Sequence, residues 1–149
     1  MTMEKLIRVL IAHPDATFAK KLQAFLDKQE NIKVIDHVRD GQGVVNMCKT
    51  AMPDLVLMDL HLPVLDSIRT IQTTLAQNEH IRILGISSIP NDRYAIEAIK
   101  AGARGCLERN GKDDFCAITT AIRQVVSGEV ILSPTLASNI LQEFYRMAD

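Results

Sequence analysis

Five short apolar runs constrain this chain more than anything else in it: Ile7–Ala12, Ile32–Val38, Leu55–Met58, Ile83–Ile86 and Gly105–Leu107. They are rich in Val, Ile and Leu and mostly continuous rather than alternating. That is the pattern of strands covered on both faces of a parallel sheet. Their centres recur every ~20–28 residues, the length that a strand, a crossover helix and two loops require. The stretches between them have helical period. Phe18, Leu22, Phe25 and Leu26 line one face after Pro14. Asp40-Gly41-Gln42 opens a second helix with Val44, Val45 and Met47-Cys48, closed by Met52-Pro53. A third is predicted over Asp66–Gln77, a fourth over Asp92–Ala101 with Gly102 as its cap, and a fifth from near Asp113 to Gly128. Such a (βα)5 order with right-handed crossovers predicts an α/β domain with a parallel five-stranded sheet.

Composition narrows the function classes. An apolar fraction of 47% over 149 residues fills one core. Seventeen Lys and Arg against eighteen Asp and Glu leave a net charge of −1. The balance holds on both sides of residue 75, nine against nine and then eight against nine. With no basic block, this segment is a poor candidate for gripping nucleic acid by its phosphates. Cys48, Cys106 and Cys116 are odd in number and lack CxxC spacing, which argues against a disulfide framework or a zinc site and for a reducing cytoplasm. The N-terminus has no apolar signal core, and no run approaches a membrane span.

In a sheet of this kind, functional residues gather beyond the carboxyl ends of the strands. Those ends read Ala12-His13-Pro14-Asp15, Leu57-Met58-Asp59 followed by Leu60-His61-Leu62-Pro63, Ile86-Ser87-Ser88, and Cys106-Leu107-Glu108-Arg109-Asn110. Asp59 terminates an apolar strand, where a carboxylate needs a partner or a task; a loop-capping aspartate is the bland alternative. Ser87 either donates a hydrogen bond to an anion on Asp59 or starts a turn. Arg109 either holds a negative charge there or points to solvent.

Three segments in register carry a specific resemblance: Ile7-Arg8-Val9-Leu10-Ile11-Ala12, Pro53-Asp54-Leu55-Val56-Leu57-Met58-Asp59-Leu60 with Leu62-Pro63, and Ala98-Ile99-Lys100-Ala101-Gly102-Ala103-Arg104-Gly105. Ungapped from about Ile7 to Gly128, the chain resembles the receiver domain of bacterial two-component response regulators. The closest likeness is to the NarL/FixJ branch, whose receiver precedes a LuxR-type helix-turn-helix. The resemblance implies a flavodoxin-like doubly wound sheet of strand order 2-1-3-4-5, a receiver over residues 5–128, and a linker region with a C-terminal helix over 129–149. It also implies that Asp59 stands at the phosphoacceptor position and Ser87 at that of the hydroxyl which turns toward the new phosphate.

The departures fall on the chemistry. The family's reaction uses an acidic pair after the first strand to hold Mg²⁺; this sequence has His13 and Pro14 there. Arg109 replaces the family's Lys, Cys106 the aromatic switch residue, and Ser67 a frequent Gly. Mg²⁺ demands hard oxygen ligands, whereas an imidazole suits softer metals and Pro offers no ligand. Asp15 is a partial substitute at best, because its position suits capping of the first helix. Asp59 and the backbone carbonyl of His61 remain as ligands, so only weak Mg²⁺ binding is expected and no resident cofactor. Either Arg109 or a protonated His13 is expected against Asp59, leaving it neutralised without phosphate. His37, His61 and His80 share no metal spacing and are expected to face solvent or loops. Buried Cys106 is expected to be plain packing.

After Gly128, Ser133-Pro134 reads as a cap and first helical position. Leu136, Ile140, Leu141 and Phe144 then form a stripe that must be buried against the chain's own domain, a neighbouring copy or a following domain. By resemblance this is the linker to a DNA-binding module absent from this chain, through which alone DNA would be reached; a receiver that stands alone is the alternative. The functional expectation is a non-enzymatic receiver of an atypical transcription regulator, signalling by dimerisation and protein contacts. Homodimer faces would be the first and fifth helices, or the fourth helix with the fifth strand. Two rivals remain: a conventional Mg²⁺-dependent phosphoacceptor driven by a histidine kinase, and a receiver controlled by a ligand or partner. Flavin binding, on the same architecture, needs a Gly-rich phosphate loop that His13-Pro14-Asp15-Ala16-Thr17 lacks.

Overall fold

The computed structural model describes residues 5–90, 92–109 and 114–148. Asn110 and Asp113, named above, lie outside them. The order is β1 (Ile7–Ala12), α1 (Ala16–Leu26), β2 (Ile32–Val38), α2 (Gly41–Thr50), β3 (Leu55–Asp59), α3 (Ser67–Gln77), β4 (Arg82–Ser87), α4 (Arg93–Ala101), β5 (Gly105–Glu108), α5 (Phe115–Val126) and α6 (Pro134–Ala148). The strands pair in parallel in the order 2-1-3-4-5, the doubly wound, flavodoxin-like arrangement that was expected. No helix among the described residues is long and apolar enough to cross a membrane.

Aspartates mark the helix starts. Asp15, Asp40, Asp66, Asp92 and Asp114 each accept a backbone N–H of the following first turn. A carboxylate there satisfies an otherwise orphaned donor and suits the positive end of the helix dipole. Asp66 and Asp92 are therefore caps, one residue outside the helices predicted to contain them. Gly102 ends α4 at φ 118°, a conformation that strains any side chain.

Side chains alternate across each strand, and the sheet divides the core in two. Val9, Ile11, Leu55, Leu57, Leu84 and Ile86 pack under α1 and α5 with Phe18, Leu22, Ile118 and Ile122. Leu10, Ala12, Val56, Met58 and Ile83 pack on the opposite face with Val44, Ile71, Ala95, Ala98 and Leu136. β2 departs from expectation. As an edge strand it exposes Lys33 and Asp36, which lie either side of a register shift in its pairing with β1 between Val9 and Leu10.

Candidate functional site

The period of two carries directly into the residues at the top of the sheet. β1 and β3 pair with Ala12 opposite Met58, so the next residues, His13 and Asp59, emerge side by side on the α1–α5 face. Leu107 belongs to that same face, and Arg109, two residues on, shares its parity. β3 and β4 pair with Asp59 opposite Ile86, which turns Ser87 to the opposite face, with Cys106.

His13 is buried, and its Nε2 faces Asp59 Oδ2 at 3.2 Å. On the other side of the ring, Nδ1 accepts the backbone N–H of Asp15 at 3.0 Å. A nitrogen that accepts cannot carry the proton, so the imidazole is the Nε2–H tautomer with its proton toward Asp59. Burial, as the largest influence, pulls the His13 pKa below its ordinary 6.5; Asp59 opposes this and the nearby charge of Arg109 reinforces it. Either Arg109 or a protonated His13 was expected against Asp59, and the ring of His13 faces it. The ring is neutral there, because a second proton on Nδ1 would confront an N–H donor in a dry pocket.

That state has a measurable consequence. Nitrogen NMR is expected to show a neutral Nε2–H imidazole at pH 7 that persists as pH falls through 6.5. The unfolded chain takes up this proton near the ordinary value and the folded chain does not, so stability is intact above that pH and declines below it. A His13 that titrates above 6.5 would refute the assignment.

The guanidinium of Arg109 lies 3.8 Å from the centroid of the Phe18 ring, whose own centroid is 4.6 Å from that of His13. Phe18 thus contacts both, through a cation–π contact with Arg109 and a tilted ring contact with His13. Sequence reasoning had counted Phe18 only as core. Asp15 holds the N–H groups of Thr17 and Phe18 on Oδ1, and these bonds hold its carboxyl below the usual range. Pro14 follows His13 and offers no side-chain donor.

The second oxygen of Asp59 is also engaged: Oδ1 accepts the His61 N–H at 2.7 Å. His61 then reaches across the strand end, its Nε2 2.6 Å from Asp92 Oδ2. Ser87 donates its hydroxyl to that same Asp92 oxygen at 2.6 Å and receives the Ile89 N–H. Burial would raise the Asp92 carboxyl, but the bonds from Ser87, His61 and the Tyr94 amide outweigh it and hold the group below its ordinary value. Ser87 is therefore turned toward the start of α4. Tyr94 closes the cluster, its hydroxyl donating to Asp66 Oδ1 at 2.8 Å and its ring edge-on to His61.

Ser67 sits at the base of the loop with 1% exposure, donating its hydroxyl to the Asp59 carbonyl and accepting the Leu62 N–H. A Gly at that position would forfeit both bonds. Of the other histidines, His37 is half-buried with Nε2 3.1 Å from the His13 carbonyl, contrary to a solvent-facing role, while His80 is exposed.

The donor set can be tested against a divalent cation. Both Asp59 oxygens already have polar partners, the residues at positions 13 and 14 supply no carboxylate, and Asp15 caps α1. Among the described residues no three His, Cys, Asp or Glu side chains gather as a metal site. These residues do not fit Mg²⁺.

Comparison with known proteins agrees with the topology. The response regulator receiver domain family matches residues 9–123. The transcriptional regulatory protein LnrK of Bacillus subtilis is 27% identical over 141 residues, covering 95% of this chain and 63% of that protein. DegU of Brevibacillus brevis is 22% identical over 146 residues, 98% of this chain and 61% of its own length. The chain thus spans a little under two thirds of these curated relatives. Among solved structures, a LuxR-family two-component response regulator from Aurantimonas sp. SI85-9A1 superposes with a TM-score of 0.82 at 21% identity, covering 95% of this chain and 99% of that one. The signal receiver domain of the response regulator NarL from Mycobacterium tuberculosis gives 0.76 at 21% identity, over 85% of this chain and all of that one. With its sheet order, its Asp59 strand end and a family match over most of its length, the chain belongs to the response regulator receiver domains.

Proposed function

We propose that this chain is an atypical receiver module of a transcription regulator, in which Asp59 is satisfied by His13 and His61 and signalling proceeds by dimerisation and protein contacts rather than by Mg²⁺-dependent phosphorylation. The observation that carries the reading is the His13 ring, fixed by the Asp15 N–H on one side and facing Asp59 at 3.2 Å on the other. Phosphoryl transfer demands positioning and neutralisation of charge. A neutral imidazole contributes a dipole where the reaction needs a divalent ion. Ser87 would have to leave Asp92 to approach a group on Asp59, giving up a short bond to a carboxylate. Contact with DNA would come through a further module, as the names and greater lengths of the relatives suggest.

The test is incubation with acetyl phosphate and Mg²⁺ followed by intact mass. The expected spectrum is dominated by unmodified chain. A stoichiometric gain of one phosphate, lost in Asp59→Ala, would establish the second reading, a conventional phosphoacceptor driven by a histidine kinase. That reading is favoured by the retention of Asp59 and Ser87 at strand ends. Light scattering on the same sample checks the homodimer.

A further inference from the structure

The dipeptide that carries the His13 ring is held from one strand. The Val38 carbonyl of β2 accepts the His13 N–H at 3.0 Å, His37 Nε2 stands 3.1 Å from the His13 carbonyl, and the Arg39 guanidinium donates to the Pro14 carbonyl at 3.4 Å. Pro14 adds a restraint of its own, since the residue before a proline is confined to extended backbone. With Nδ1 on the Asp15 amide and Nε2 against Asp59, every polar atom of His13 is engaged.

β2 brings His37 to this place through its register shift. Val34 pairs with Val9 and Asp36 with Leu10, so Ile35 is passed over. A slip of one residue turns every later side chain to the other face of a sheet. Val34 and Val38 would share a face in a regular strand. Instead Val34 packs in the layer of Val9, and Val38 in the layer of Ala12. His37, level with Ile11, therefore falls on the α1–α5 face, where His13 emerges two residues further along the chain. In an unbroken register His37 would lie level with Ala12 and point to the opposite layer.

A carbonyl only accepts, so Nε2 of His37 carries a proton and donates it toward His13. We infer that His37 is the positioning residue of the Asp59 site: its Nε2–H, turned to this face by the register shift, fixes the His13 carbonyl and so aims the imidazole at Asp59. It acts through His13 alone, and its role rests on the reading in which His13 satisfies Asp59. Because β2 is an edge strand and His37 is half-buried, the aim of a buried ring is set from the rim of the sheet.

The Asp15 amide is the reporter, since its N–H ends on His13 Nδ1. His37→Leu keeps an apolar side chain of similar size and removes the donor. In the full chain at constant pH it is expected to speed hydrogen exchange of the Asp15 amide by at least ~5-fold, the worth of one neutral hydrogen bond. Nitrogen NMR of the same variant is expected to show an Nδ1–H population at His13. His37→Gln, whose side-chain amide can donate in place of Nε2, is expected to stay within ~2-fold of the parent. The Leu57 amide, on the central strand β3, is expected to exchange at the parent rate in both variants. A parent rate for Asp15 in His37→Leu would overturn the role. So would His37→Gln behaving like His37→Leu, since that assigns the effect to the packing of the ring, or Leu57 accelerating in step with Asp15, since that marks general loosening. The unmutated chain supplies an independent check: a neutral His37 observed as the Nδ1–H tautomer leaves no donor for the carbonyl and overturns the role as well. Uptake of phosphate by the parent chain would instead remove the reading of Asp59, while these exchange rates would still decide the bond from His37.

Discussion

Replacing His13 and Pro14 together by Asp is expected to convert this chain into a divalent-cation binder, raising Mg²⁺ affinity by ~10-fold or more. The reason lies in the ligand count at the top of the sheet. Hard cations are held by clustered carboxylate oxygens, and affinity follows their number and charge. In the present chain Asp59 faces an imidazole on one oxygen and a backbone amide on the other. The double variant removes the imidazole and sets two carboxylates beside Asp59, on the strand end that pairs with β3. It also removes the bond from the Asp15 amide to the His13 ring, freeing the β1–α1 turn to adjust. Without metal the three carboxylates repel one another, so the variant should be less stable than its parent in chelator and recover with Mg²⁺. Titration followed by NMR or by thermal unfolding reads both effects. Mg²⁺ affinity equal to that of the parent would show that something other than positions 13 and 14 limits the site.

The largest effect on stability is expected from Leu57→Ala, a loss of roughly 2–5 kcal/mol. β3 is the central strand, paired with both β1 and β4, and Leu57 is 1% exposed in the layer under α1 and α5. Truncation there leaves a void lined by side chains that themselves sit in rigid strands, so little collapse can fill it. Set against the ~5–15 kcal/mol that holds a typical domain folded, this is a large share. Urea unfolding should show a lower midpoint with an unchanged slope. A loss below about 1 kcal/mol would mean that the surrounding layer repacks.

Much of this was legible in the sequence. The apolar runs marked β1 to β5 within a residue or two, since parallel strands covered on both faces leave an unmistakable hydrophobic record. The nearness of His13 to Asp59 followed from their strand ends. The charge state of His13 did not, because it turns on one local bond from the Asp15 amide, which no periodicity reports. Ser87 was marked as a strand-end hydroxyl, but its partner was missed. Asp92 read as the start of a helix, and a cap is a local signal that says nothing about which side chains from other elements converge on it. Ser67 was noticed only as a substitution for Gly. Its two bonds across the loop depend on how the chain after Asp59 folds back, which one sequence does not specify.

The sheet that separates the two core layers also divides the labour of change. Substitutions around His13, Phe18 and Arg109 fall in one compartment, and those around Ser87, Cys106 and Leu136 in the other, with His61 touching both through Asp59 and Asp92. An acceptor pocket could therefore drift toward new chemistry while the opposite wall kept its shape. For anyone building chimeras, the natural seam runs along the strands, and His61 is the stitch to preserve or cut.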